Sequence, residues 1–236
     1  MRKPKPIQDP AGELESIIGV ISDPTALAKV AARFGNGPSL YFYRKLLSAR
    51  RNAGNVDSFM SDPNNLELGY ALLGLWGMDT RGARLKDLPS FGAAVGQVHA
   101  ELVALDAALT KGNNGEIIQI LETVYDGLHL MQGKNKLISN AKLLHFLFPD
   151  HLMPMDGENT LTFFYGKNTS ESKVRYLEIT QFLFRLRSEM LQRQINWVKC
   201  MDGGWNSNFP KMFDNAVFSL VRKEEEEAKE KRNKDG

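Results

Sequence analysis

The stretch that most limits what this chain can become is residues 134–166, KNKLISNAKLLHFLFPDHLMPMDGENTLTFFYG. Within it Leu137, Ala141, Leu144 and Phe148 recur at spacings of four, three and four, which predicts a helix with one buried stripe. Lys142 lies off that stripe. Pro149 ends the helix, because a residue ahead of proline is pushed out of helical geometry. The apolar linker Leu152-Met153-Pro154-Met155 follows, stiffened by the fixed φ of Pro154, and it delivers Asp156 to a second helix predicted over Glu158 to Tyr165. A carboxylate in that position has two uses. It caps the new helix by accepting from N–H groups of the first turn, or it faces a pocket and acts on a ligand. Both remain open at this level.

The rest of the chain carries helical periodicity and no strand alternation. Helices are predicted over Glu13 to Val20 and over Thr25 to Phe34, the latter with Asp23 as cap and Pro24 in the first turn. Residues 35–39 are a turn by composition and contain no GxxxxGK[ST] phosphate loop. Ser39 to Asn52 follows, with Leu40, Tyr43, Leu46 and Leu47 inward and the basic cluster Arg44, Lys45, Arg50 and Arg51 on the solvated side. Leu66 to Met78 has Glu67 as its one charge and is expected at the centre. Its glycines Gly69, Gly74 and Gly77 each cost helix propensity on the order of 1 kcal/mol, which points to close approach by neighbouring helices or a ligand. Further helices are predicted over Pro89 to Leu109, Glu116 to Leu130, Ser170 to Lys199 and Lys211 to Val221. Residues 1–12, with three prolines and three basic side chains, read as a flexible arm. Residues 222–236 read as a solvated or disordered charged tail. The expectation is an all-α fold: one domain over 13–221 in two helical lobes, with a cleft near Asp156.

Met153-Pro154-Met155-Asp156 is similar to the V-P-V-D segment of the helix-hairpin-helix DNA glycosylases, and Gly166 falls where that family often ends its next helix. Leu130 to Lys136 resembles the family's hairpin; it keeps Gly133 and lacks the L-P-G-V-G pattern. The resemblance implies a two-lobed helical bundle that binds double-stranded DNA, extrudes a damaged or modified base and hydrolyses its N-glycosidic bond without a cofactor. It implies that Asp156 is the catalytic carboxylate, set against a transition state with oxocarbenium character. Gly133, Lys134 and Lys142 are then DNA contacts. Trp76, Met78 and Arg81, at the end of the early core helix, stand where the family fills the gap left by the base. Family members that also cut the strand use a lysine near the start of the second hairpin helix, and Lys136 stands there, twenty residues ahead of Asp156. The polar run around Lys136 looks solvated, so the expectation is a monofunctional enzyme with Lys136 as reserve nucleophile. Trp76, Met78 and Trp205, with Phe163, Phe164 and Tyr165, are candidates for the base pocket.

Other classes find little in the residues. His99, His129, His145 and His151 form no HExxH or zinc spacing, and there is no GxSxG. The single cysteine, Cys200, excludes an intrachain disulfide. No apolar run reaches the roughly twenty residues of a membrane span, and MRKPKPIQDP lacks a signal peptide's apolar core, so a cytoplasmic protein is expected. The net charge of +2 leaves any DNA-binding face to local clustering. Two alternatives stand beside the glycosylase: a non-catalytic helical protein that binds nucleic acid or protein, with Asp156 as a cap only, and an enzyme acting on a small nucleoside.

Overall fold

Asp-Pro pairs punctuate this chain, and each starts a helix. Asp9, Asp23 and Asp62 stand immediately before Pro10, Pro24 and Pro63, and their carboxylates accept from the N–H groups of Gly12, Thr25 and Asn64 at 3.0, 2.8 and 3.0 Å. Asp87, two residues before Pro89, does the same for Ser90 at 2.8 Å. The carboxylate satisfies a donor that the first turn leaves unpaired, and proline sits where no N–H is needed.

The computed structural model describes Ile7 and residues 9–80, 84–166 and 170–234. Among these residues the fold is all-α. Its helices are α1 (Pro10–Ile21), α2 (Pro24–Phe34), α3 (Pro38–Ala53), α4 (Val56–Met60), α5 (Pro63–Leu73) and α6 (Leu88–Gln97). They continue as α7 (His99–Lys111), α8 (Asn114–Gly127), α9 (Leu137–Leu147), α10 (Thr162–Tyr165), α11 (Lys173–Gln192) and α12 (Phe209–Lys234). The extended pairing among them is one isolated bridge, Leu85 to Met131. None of these helices is long and apolar enough to cross a membrane.

The core forms around α9. Leu137, Ala141, Leu144, Phe146 and Leu147 are wholly inaccessible, and α9 packs on α3, α5 and α11. Burial extends far beyond the expected stripe, and it takes in Ser139, Asn140, Lys142 and His145. Each of these polar groups is tied to a partner. Ser139 donates to the Lys136 carbonyl, and the Asn140 amide donates to that of Leu128 at 3.0 Å. Arg50, predicted on a solvated face, is buried instead. Its Nε donates to the Leu147 carbonyl at the end of α9 at 2.6 Å, and it pairs with Asp106 at 2.8 Å. A cation at a helix C-terminus satisfies orphan carbonyls and the dipole together.

Several predicted elements are divided in the structure. Pro89 to Leu109 breaks at Val98 into α6 and α7. Val98 turns inward onto Gly127, where an added Cβ would lie 2.5 Å from the valine Cγ1. The long helix after residue 170 ends at Gln192, followed by Gln194 at φ 56° and a short 3₁₀ turn, Trp197–Cys200. The charged segment after Arg222 continues α12 as exposed helix, in keeping with its Glu, Lys and Ala content. Of the predicted arm, residues 1–6 and 8 lie outside the described residues, as does Arg81, whereas residues 10–12 are the first turn of α1, started by the Asp9 cap and Pro10.

Candidate functional site

Two interruptions of regular helix face each other across α9. The first is at the end of α5, where Gly74–Met78 winds in wider π-type turns and leaves helical geometry at Trp76 and Gly77. Gly77 has φ 82°, a left-handed conformation that a side chain would strain. The predicted continuous helix to Met78 therefore ends one turn early, and the bend swings Trp76 over α9. The second interruption is Gly157–Leu161, also π-type, ahead of α10. Asp156 caps it, its Oδ1 accepting from the Glu158 N–H at 2.8 Å. Its own N–H donates to Thr160 Oγ1 at 3.0 Å. The second carboxylate oxygen, Oδ2, accepts from no described residue.

The segment that delivers Asp156 is held from below by a buried polar chain. His145 Nδ1 bonds the Leu152 carbonyl at 2.7 Å, and His145 Nε2 meets the Tyr43 hydroxyl at 2.7 Å. Tyr43 in turn accepts from Ser207 Oγ at 3.2 Å and Asn208 Nδ2 at 3.1 Å. The only consistent assignment has His145 neutral, protonated on Nδ1 and accepting on Nε2. Burial enforces this state by pushing the His145 pKa down to about 3.

Two cavities meet at Asp156. The larger, about 1020 Å³, is an open cleft whose walls include Trp76, Met78, Arg84, Lys134, Lys142 and Asp156. The smaller, about 350 Å³, lies on the other side, between Phe34, Trp76, Trp205, Lys211, Asp214 and Asp156. Trp76, Lys142 and Asp156 line both cavities. The Trp76 indole N–H has no partner among the described residues.

Lys142 was expected as a solvated side chain or a phosphate contact. It is buried, with its Nζ donating to the Trp76 carbonyl at 2.7 Å. The π-type turn releases that carbonyl from the helical ladder, so the kink and the lysine complete each other. Burial lowers the Lys142 pKa; Asp156 and Asp214 oppose the shift and Lys211 adds to it. Lys211 Nζ reaches Asp214 Oδ2 at 2.6 Å and Asn215 Oδ1 at 2.8 Å. It also stands 5.2, 5.8 and 5.6 Å from the ring centroids of Phe34, Trp76 and Trp205, within cation–π range. Burial raises the Asp214 pKa, and Lys211 works against that rise.

The other predicted site residues divide. Gly133, Lys134 and Met78 line the large cleft, and Trp205 lines the small pocket with its Nε1 donating to the Gly35 carbonyl at 2.7 Å. Lys136 lines neither cavity. Its Nζ donates to the Asp126 carbonyl at 2.9 Å and lies 5.2 Å from the Tyr125 ring, on the side of α8. Phe163, Phe164 and Tyr165 also line neither; Phe164 is packed in the core against Phe182, and the Tyr165 hydroxyl donates to Glu178 at 2.6 Å. Between α8 and α9 the chain makes a nine-residue connection, residues 128–136, anchored by the Leu85 bridge. The first N–H of α9, from Leu137, is occupied by Glu171 at 3.1 Å.

Lys211 and Asp214 went unnoticed in the sequence, although a signal was present. Between Phe209 and Phe218 the chain reads FPKMFDNAVF, so Lys211, Asp214 and Asn215 interrupt an otherwise apolar run three and four residues apart, on one helix face. No family model matches the chain, and no curated protein or solved structure does.

Proposed function

We propose that this protein is a DNA glycosylase of the helix-hairpin-helix type, which removes a damaged or modified base by breaking its N-glycosidic bond. The observation that carries the reading is the junction at Asp156: an open cleft on one side, an aromatic pocket on the other, and one carboxylate between them. Contacts among α3, α5 and α9, and separately among α1, α2 and α12, are in keeping with this reading. Double-stranded DNA lies along the cleft, with Arg84 and Lys134 toward its phosphates. The extruded nucleotide crosses Asp156 and its base enters the pocket. The uncommitted Oδ2 of Asp156 faces the sugar, where it offsets the positive charge that develops as the C1′–N bond breaks and orients the attacking water.

The position of Lys142 favours a second form of the same chemistry. It holds the place beside Asp156 that was expected of Lys136, and its burial favours the neutral amine. In that form the amine attacks C1′ and the base leaves with the bonding electrons and takes a proton; the C1′–O4′ bond then opens, O4′ taking the amine's proton, and the resulting Schiff base is open to β-elimination. Borohydride added during turnover separates the two: a covalent adduct lost in Lys142→Ala marks the lysine route, and none marks the water route.

The cap at Glu158 supports the competing reading, a non-catalytic binding protein in which Asp156 only starts a helix. Duplexes that each carry one modified base, incubated with the protein and then treated with alkali, decide between them. Alkali-labile strand breaks at the modified position support the glycosylase. Duplex binding with no base release across the panel leaves the binding protein.

A further inference from the structure

The small pocket contains more charge than a generic base pocket needs, and that charge is arranged. Lys211 is 5% exposed, yet it lies in a cavity walled by Phe34, Trp76 and Trp205. Its partner Asp214 keeps 17% of its side chain accessible, and Asp214 lines the cavity. A volume of about 350 Å³ is near the lower end of small-molecule pockets, roughly 300–1,000 Å³, and suits one flat heterocycle. The walls suit it too. Phe34 and Trp205 have ring centroids 5.5 Å apart, and Trp76 and Trp205 have theirs 6.2 Å apart, so the three rings pack on one another into one continuous aromatic wall of the pocket. An ion pair set on an apolar floor costs desolvation that surface pairs avoid. That cost is useful if a ligand edge takes up the remaining donors and acceptors.

From this we infer a specificity for oxopurines: Lys211 and Asp214 read the lactam edge of a guanine-type base lying against the aromatic wall that Phe34, Trp76 and Trp205 form. The inference rests on the glycosylase reading for its substrate but not for its chemistry. Asp214 Oδ2 is engaged by Lys211, and Oδ1 accepts from ring N–H. Lys211 has three donors, two of them committed to Asp214 and Asn215, and the third reaches the neighbouring carbonyl oxygen. A guanine-type edge presents a carbonyl beside N–H donors, the complement of this pair. Adenine lacks the carbonyl, and a pyrimidine, with one ring, leaves the aromatic walls partly uncovered. Asp156 and Lys142 lie at the pocket entrance and are left for the sugar.

Tryptophan fluorescence gives a readout independent of DNA cleavage, because Trp76 and Trp205 are walls of the pocket. Free guanosine, inosine and 8-oxoguanosine are titrated against the full chain, with adenosine and uridine as controls. The expected result is saturable quenching by the oxopurine nucleosides, weakened tenfold or more in Asp214→Asn and in Lys211→Met, with helical content unchanged by circular dichroism. Equal quenching by all five nucleosides, or an unchanged preference in both variants, overturns the inference. Duplexes with a single 8-oxoguanine, hypoxanthine, uracil or 3-methyladenine then separate the two readings. Oxopurine binding without base release keeps this inference and removes the glycosylase. Release of uracil or 3-methyladenine in preference to the oxopurines keeps the glycosylase and removes this inference.

Discussion

His145 makes the stability of the site depend on pH in a way that can be calculated. Its imidazole is wholly buried and stays neutral down to about pH 3, whereas in the unfolded chain it titrates near 6.5. At pH 7 or above neither state binds the proton and the difference vanishes. As pH falls below 6.5, the unfolded chain takes up a proton that the folded chain refuses. Each further unit therefore costs the folded state about 1.4 kcal/mol, or roughly 2 kcal/mol at pH 5. His129 and His151 are also shifted down by burial, so the wild-type slope alone is not diagnostic. The contrast with His145→Gln is. Glutamine carries both a donor and an acceptor but does not titrate, so its stability deficit at pH 7 should shrink by roughly 2 kcal/mol at pH 5. Urea denaturation at pH 7, 6 and 5, followed by circular dichroism, measures both curves. A deficit constant across this range would show that His145 does not fold as a buried neutral imidazole. The Tyr43–His145–Leu152 chain that holds the Asp156 segment would then be misassigned.

Asp156→Asn keeps a competent helix cap, so stability should change by less than about 1 kcal/mol while base release falls below detection; full release from the variant would remove Asp156 from the chemistry. Lys134→Ala should lower the log–log salt slope of duplex binding by about 0.9, and Lys136→Ala should leave it unchanged because that lysine is turned to Asp126. The reverse result in filter-binding titrations would move the DNA off the cleft. Gly77→Ala should destabilise by about 1 kcal/mol through backbone strain alone, since an added Cβ would have its nearest neighbour, Thr80 Oγ1, at 3.7 Å. A loss several-fold larger in thermal unfolding would point to a clash that the geometry does not contain.

The start of α2 was legible, because Asp23-Pro24 announces it by chemistry confined to four consecutive residues. Asp9-Pro10 and Asp62-Pro63 carry the same chemistry, but their helices were expected only from Glu13 and Leu66. The apolar period of residues 137–148 likewise located α9, and Pro149 its end. Helix ends and interiors were less legible. Gly74 and Gly77 weaken the end of Leu66 to Met78, but they do not by themselves show that Leu73 closes the last regular turn. The π-type turn persists because Lys142, sixty-six residues away in the chain, binds the carbonyl it exposes.

The site divides along the same line. Asp156 could be singled out because its position depends on neighbours in sequence: a proline-stiffened linker before it and the helix it caps after it. Its role could not, because an N-cap and a pocket carboxylate share one local geometry and differ only in what lies across the cavity. Local sequence placed Lys136 near the site and Lys142 off the buried stripe, where the family resemblance made it a DNA contact. In the fold Lys136 turns to the Asp126 carbonyl and Lys142 is buried beneath Trp76. Lysine direction is set by which carbonyls and rings surround a long flexible stem, a property of packing rather than of spacing. Lys211 and Asp214 follow the same rule: one turn of one helix carries both, but only the approach of Phe34, Trp76 and Trp205 from three other segments turns them into the floor of a pocket. The sequence by itself determined an all-helical chain and the starts of α2 and α9, because capping and amphipathic period are local. The tertiary structure alone decided which charges are buried together, because that depends on contacts between residues far apart in the chain, as Lys211 is from Phe34.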